Sequence, residues 1–270
     1  MPFLTEQIYL FAGMVFLYGL LFGSFFNVLI CRLPAEESII FPASHCPNCK
    51  HKLSWNENIP ILSFLLLCGK CKECKTKISI QYPAVELITG IYSVLLFVLF
   101  LPQIQSAQNW WTCIEIFFKF FTFLLFVPLT IIDLKHYIIP DELTISGLVV
   151  SFLISFLPAG ITPLESTVGA LSGGGFLFFA GLIGKIIMKK EAMGGGDVKF
   201  MLWIGALFGF KTAFASIFIG SIIGTIIGVF LILFGKTKND GHLPFCPYLC
   251  AGTLISVIFN DKIFSILSLN

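Results

Sequence analysis

Two short clusters hold the residues best suited to chemistry. The first runs Asp133-Leu-Lys-His-Tyr-Ile-Ile-Pro140-Asp141, and the second Gly194-Gly195-Gly196-Asp197-Val198-Lys199. Each sits where one long apolar run gives way to the next, and ionisable groups in such segments mark functional sites by default. Two carboxylates that face each other cannot both ionise cheaply, so the pair holds a single proton near neutral pH. One Asp can then take a proton from water while the other protonates a carbonyl oxygen. Asp133 and Asp197 are therefore the candidate catalytic pair for amide hydrolysis without a covalent intermediate. The glycines before Asp197, Gly194 and Gly196 among them, let backbone come close to a substrate strand or a neighbouring helix. The competing reading makes the carboxylates helix caps that neutralise nearby lysines. Asp141 fits it well, because it follows Pro140 and begins a helix. The joint occurrence of the two clusters favours catalysis for Asp133 and Asp197.

The cysteines form a second constellation. Of nine, four lie in an internal repeat: Cys46-Pro-Asn-Cys49-Lys-His-Lys-Leu-Ser54 is echoed by Cys71-Lys-Glu-Cys74-Lys-Thr-Lys-Ile-Ser79. Both read C-x-x-C-K-x-K-aliphatic-S. Two such knuckles supply four thiolates for a tetrahedral site, which suits Zn2+ and needs no redox chemistry. Cys68 could also pair with Cys71 as C-x-x-C, but only Cys71 and Cys74 match the first knuckle, so Cys68 is read as a spare or buried thiol. A closed four-Cys site is structural more often than catalytic, and here it would fold an insert that lacks a core of its own. His45 and His51 are not needed as ligands.

The elements that must position these groups follow from composition. Of 270 residues, 57% are hydrophobic and only 12% charged, with 31 Phe. That excludes a soluble globular enzyme, a disordered chain and a secreted disulfide scaffold, and leaves an all-α polytopic membrane protein in a lipid bilayer. Nothing points to nucleic acid as a partner. A spanning helix needs about 20 apolar residues. Candidate runs are 8–31, 83–101, 113–132, 142–157, 165–188, 198–210, 212–234 and 246–268, about eight helices, with the short run 198–210 tilted or half-buried. The N-terminal run lacks a basic flank and a cleavage site and reads as a retained span. Gly220, Gly224 and Gly228 on one helix, and Gly169 and Gly173 on another, recur at four-residue spacing that lets helices approach closely in lipid.

With the N-terminus outside, the loops at 32–82, 133–141, 185–199 and 235–245 face the cytosol. They then hold all but three (Lys119, Lys211, Lys262) of the 17 basic residues, the asymmetry expected of cytosolic loops. The expected organisation is a first helix in 1–31, a small cytosolic zinc-binding insert in 32–82 between helices 1 and 2, and a helix bundle in 83–270.

Several motifs, in one order along almost the whole chain, give it a resemblance to the type IV prepilin peptidase family. They are Gly23-Ser24-Phe25-Phe26-Asn27-Val28, Arg32-Leu33-Pro34, Cys46-Pro-Asn-Cys49, Asn58-Ile59-Pro60-Ile61-Leu62-Ser63, Gly69-Lys70-Cys71 with Cys74, Tyr82-Pro83-Ala84-Val85-Glu86-Leu87, Asp133…Pro140-Asp141, Gly194-x-Gly196-Asp197 and Leu243-Pro244-Phe245. The resemblance implies a GxGD-type intramembrane aspartyl peptidase in a bacterial cytoplasmic (inner) membrane, acting at its cytosolic face. Asp133 and Asp197 match the family's catalytic aspartates, and Gly194 and Gly196 its signature glycines. The implied substrates are type IV prepilins and pseudopilins. Their basic leader is cut after a Gly, and the new N-terminal residue is then N-methylated with S-adenosylmethionine. The cysteine insert and Gly69-Lys70 correspond to the region needed for methylation. Glu86, entering the second helix, is a candidate for recognising the donor or the substrate amine, against the alternative of an interhelical hydrogen bond. The sequence departs from the family where Phe245 is followed by Cys246-Pro247 rather than Gly-Pro.

Two other readings remain open on the sequence. One is a cation or metal transporter with a cytosolic metal-sensing insert, disfavoured because the carboxylates gather at one edge of the spans. The other is a peptidase without methyltransferase activity. Oligomeric state is not legible.

Overall fold

A computed structural model describes residues 2–189, 193–234 and 243–259, with the side chains of 2–6 and 188 outside that description. Lys190, Lys236, Lys238, Lys262 and the far end of the last apolar run lie outside the described residues. Eight α-helices are described: α1 Pro2–Arg32, α2 Leu62–Leu66, α3 Gln81–Ser106, α4 Trp110–His136, α5 Asp141–Ile154, α6 Pro163–Met188, α7 Gly195–Leu233 and α8 Cys246–Ile258. Among the described residues the only β pairings are two isolated bridges in the cysteine segment. Five helices (α1, α3, α4, α6 and α7) are long and apolar enough to cross a membrane. α5 and α8 are shorter, with 14 and 13 residues, so the expected count of about eight spans is not established.

The runs expected separately at 198–210 and 212–234 join into the 39-residue α7. A straight helix of that length would reach about 58 Å, far beyond a hydrocarbon core of about 30 Å. The helix is interrupted at Gly209, whose φ of 82° and ψ of 176° are non-helical and lie in a region open essentially to glycine alone.

Packing divides the chain into Met1–Gln105 and Ser106–Asn270. In the first unit α1 lies against α3. A Cβ on Gly23 would come within 2.6 Å of Glu86 Cα, and one on Gly19 would run into the Ser93 hydroxyl. That hydroxyl donates to Val15 O at 3.0 Å. Residues 33–80 carry the cysteine segment, with short 3-10 turns at Leu33–Ala35 and Trp55–Glu57.

The second unit is built around α7, where Phe200, Met201, Trp203 and Ile204 are almost wholly buried. α6 crosses it backbone to backbone. A Cβ on Gly169 would collide with Gly205 O, one on Gly173 would come 3.0 Å from Met201 O, and Ser166 Oγ donates to Ala206 O at 2.8 Å. α8 crosses the far half, where Gly220 approaches Tyr248 O, Gly252 meets Ser216 O, and the Ser216 and Ser256 hydroxyls bond at 3.1 Å. The four-residue glycine spacing thus marks real helix crossings. Gly147 of α5 faces the Trp203 indole, and Phe126 of α4 packs on Phe200 with centroids 5.6 Å apart. Large apolar side chains such as Leu10, Leu17, Phe178, Phe179 and Phe218 point outward, as lipid-facing positions must.

Candidate active site and metal centre

α4 ends because Tyr137 adopts a left-handed conformation (φ 57°) and its N–H closes on Asp133 O at 2.9 Å. This puts the Asp133 side chain in the last helical turn. α7 begins at the glycine run: Gly194 is the N-cap and Asp197 stands in the first turn. Both aspartates are buried, at 5% and 8% exposure. They stand near enough for their charges to repel each other. The close approach at this corner is visible in the glycines. A Cβ on Gly196 would come within 2.8 Å of Ile139 Cβ, and one on Gly194 would meet Asp197 Oδ2 at 3.1 Å. Lys199 Nζ bonds both carboxylate oxygens of Asp141 at 2.7 Å, tying the start of α5 to the second turn of α7. Asp141 therefore behaves as the helix-start residue with a lysine partner that the cap reading anticipates.

A third helix completes the corner. The Cys246 N–H, at the start of α8, donates to Asp133 Oδ2 at 3.0 Å. The position that departs from the family pattern is thus a backbone contact with a predicted catalytic carboxylate. Its thiol is fully buried and lies 3.8 Å from Cys250 Sγ. This amide is the functional group that sequence reasoning missed, because a backbone donor leaves no side-chain signal. Asp197 has no comparable donor among the described residues. The arrangement can hold one ionised and one protonated carboxyl beside each other.

The two cysteine knuckles adopt the same turn. Cys46 N–H bonds His51 O at 2.9 Å, and Cys71 N–H bonds Thr76 O at 2.9 Å. Lys50 and Lys75 take matching left-handed conformations, φ 59° and 57°. Isolated bridges flank each turn, His45 with Lys52 and Lys70 with Lys77. The four sulfurs of Cys46, Cys49, Cys71 and Cys74 all lie within 4.8 Å of one another, with Cys46–Cys74 at 3.8 Å and Cys49–Cys71 at 3.9 Å. Four thiolates at Zn–S bonds of about 2.3 Å would stand about 3.8 Å apart along a tetrahedron's edges, so the cluster fits zinc. The Thr76 hydroxyl, 3.2 Å from Cys74 Sγ, and then the Thr76 amide lower the Cys74 thiol to about 5, favouring the thiolate that a metal needs. Asn48 Nδ2 donates to Thr76 Oγ1 at 2.9 Å and links the knuckles. Cys68 stands outside the cluster and is exposed, a spare thiol and not a buried one, and His51 bonds Glu57 instead.

Glu57 is the module's polar hub. Its Oε2 accepts from the Ser54 hydroxyl at 2.5 Å, the Ser54 amide at 2.8 Å and His51 Nε2 at 3.2 Å. The Ser54 hydroxyl, then the Ser54 amide, hold its carboxyl down at about 2. Glu86, buried at the start of α3, accepts the Ile61 N–H at 2.7 Å and is also hydrogen-bonded by the Ser24 side chain of α1, so it joins a loop amide and a neighbouring helix. Gly69 takes φ 66° and Lys70 sits in the second bridge.

Residues 17–100 match the model of the bacterial peptidase A24 N-terminal domain, and 118–229 that of the type IV leader peptidase family. A prepilin leader peptidase/N-methyltransferase of Bacillus subtilis is 34% identical over 94% of this chain and 96% of its own length. The chain belongs to the type IV leader peptidase family. A relative of the same name from Aeromonas hydrophila is 31% identical over 94% of this chain and 93% of its own. One from Myxococcus xanthus is 38% identical over 75% of this chain, which spans 57% of that relative's length. No solved structure matches the chain. As a family member with five apolar helices, it is a multi-pass membrane protein and a peptidase. Asp133 and Asp197 fall inside the matched peptidase segment, and the four clustered cysteines inside the N-terminal one.

Proposed function

We propose that the chain removes the basic leader from type IV prepilins or pseudopilins with Asp133 and Asp197, at the cytosolic face of the bacterial inner membrane, and then methylates the new amino terminus. The observation that carries the reading is the meeting of two buried aspartates at one corner of the second unit. Asp133, whose Oδ2 accepts the Cys246 N–H, is the ionised partner, because hydrogen bonds to a carboxylate favour the charged form. It takes a proton from water, and the water oxygen attacks the scissile carbonyl carbon. Asp197 gives its proton to the carbonyl oxygen. Collapse of the tetrahedral species breaks the C–N bond as Asp133 passes its proton to the leaving amine, and the hydroxyl that becomes the new carbonyl returns its proton to Asp197. The transporter reading loses ground because both carboxylates sit in terminal turns, not mid-helix.

Zinc held by Cys46, Cys49, Cys71 and Cys74 would fold the insert and take no part in bond breaking. A bound S-adenosylmethionine would supply an electrophilic methyl group. The N-terminus outside, with the insert inside, is the orientation the lysine distribution favours. The test is to incubate purified protein with a prepilin and S-adenosylmethionine and read leader loss and a one-methyl mass shift together. Intact prepilin with the wild-type chain would remove the reading.

A further inference from the structure

The first unit contains a cavity of about 550 Å3 between the C-terminal half of α1, the cysteine segment and the start of α3. Its size lies in the range of sites that enclose a small molecule. Its polar lining holds buried acceptors that receive no hydrogen bond. Asn27 is 2% exposed, and its Nδ2 donates to Tyr82 O at 3.0 Å and Gly23 O at 3.3 Å. Those two bonds fix the amide's orientation and leave Oδ1, buried, with no donor. Glu57 Oε1 is likewise buried and accepts no hydrogen bond, with Lys72 Nζ 3.9 Å away. Glu86 also lines the cavity, a further buried carboxylate that already takes the Ile61 N–H and a Ser24 hydrogen bond and brings its negative charge to the wall. Buried acceptors are ordinarily satisfied, so the Asn27 and Glu57 oxygens call for a ligand that brings donors, and the two carboxylates for one that brings positive charge.

We propose that this cavity is the methyl-donor site, with Asn27 and Glu86 as direct contacts; the proposal rests on the methyltransferase half of the function above. S-adenosylmethionine brings an ammonium, a sulfonium, an adenine amino group and ribose hydroxyls to such acceptors. Its carboxylate meets Arg32, which lines the cavity and spends Nη1 and Nη2 bonds on Ser38 O and Pro42 O, leaving other guanidinium N–H groups free for an anion. The site is then composite, built from both flanking helices as well as the cysteine segment. Gly69 and Lys70 do not line it. Gly69 acts by shape: at φ 66°, a Cβ there would come 3.0 Å from the ring of Phe64, which is a wall of the cavity. Its carbonyl also holds the amide of another wall residue, Ile78, at 2.8 Å.

The test is equilibrium binding of S-adenosylmethionine to the purified full-length chain, without prepilin, for wild type, Asn27→Ala, Glu86→Gln and Cys68→Ser. Cys31 lines the cavity and is exposed, whereas Cys68 is exposed outside it, so alkylation of each is followed with and without donor. Losing one charge-assisted hydrogen bond predicts about tenfold weaker binding for Asn27→Ala and for Glu86→Gln. Cys68→Ser should bind as wild type, and bound donor should slow alkylation of Cys31 but not of Cys68. If Asn27→Ala does not fold, Glu86→Gln and the Cys31 footprint decide. Wild-type affinity in the variants with no protection of Cys31 would overturn the proposal and leave the function standing. A wild-type chain that neither binds the donor nor methylates cleaved prepilin would take down the methyltransferase reading, and the site with it.

Discussion

Asp133 occupies the last turn of α4, where the carbonyl ends of a helix disfavour negative charge. A carboxylate kept there, 5% exposed, needs compensation, and the compensation comes from the opposite pole of another helix: the first N–H of α8. Asp197 has the reverse setting, in the first turn of α7. Replacing Asp133 or Asp197 by Asn should cut leader removal by about 10²–10⁴-fold, the range carried by positioned acids and bases. The protein should still reach the membrane, which fractionation alongside the cleavage assay checks. Position 246 then separates backbone from side chain. Cys246→Gly keeps the N–H and should keep cleavage. Cys246→Pro removes it, at the cost of straining Phe245, whose helical ψ of −27° a following proline disfavours, so its thermal stability is read alongside; it should lower kcat by about tenfold or more with KM little changed, since a bond of this kind to a charged group is worth about 1.5–3 kcal/mol. Equal rates in the Gly and Pro variants would show that Asp133 does not depend on that amide.

Among elements, what the sequence made legible was whatever had a periodic or repeated signature. The knuckle repeat gave the four sulfurs, and the glycine spacing marked the crossings of α6 and α8 on α7. Two things were not legible. The join of two apolar runs into α7 depends on one residue's backbone angles at Gly209, and the contact of Cys246 with Asp133 spans 113 positions and uses main chain. Gly205 tests the crossings: any Cβ there would enter the backbone of Gly169. Gly205→Leu should lower the thermal stability of the detergent-solubilised protein, at a cost of roughly 1–3 kcal/mol typical of overpacking. The zinc module has its own pH signature. The Ser54 hydroxyl and amide hold the Glu57 carboxyl at about 2, against 4.5 for the free group. A depressed folded value stabilises the module fully above about 4.5, and that contribution is lost as pH falls from there towards 2. Glu57→Gln should therefore hand zinc to a competing chelator faster than wild type at pH 7, and the difference should close across that acid window.

At the scale of the whole molecule, the two units carry different chemistry on different side chains. Asp133, Asp197 and the α8 amide all belong to Ser106–Asn270, while the cysteine cluster and the cavity at Asn27 belong to Met1–Gln105. No residue proposed for peptide hydrolysis lies in the first unit, and none proposed for donor binding lies in the second. The two activities should therefore fail separately. Cys74→Ser removes one of four thiolates from a closed site, so metal analysis should show zinc lost and methylation should collapse, with prepilin still cut at a rate within a few fold of wild type. Conversely, Asp197→Asn should leave intact prepilin uncut, yet still methylate a substrate supplied with its mature amino terminus already free. Loss of both activities in both variants would mean that hydrolysis and methylation share a conformational requirement across the chain, and the division between units would then describe packing alone.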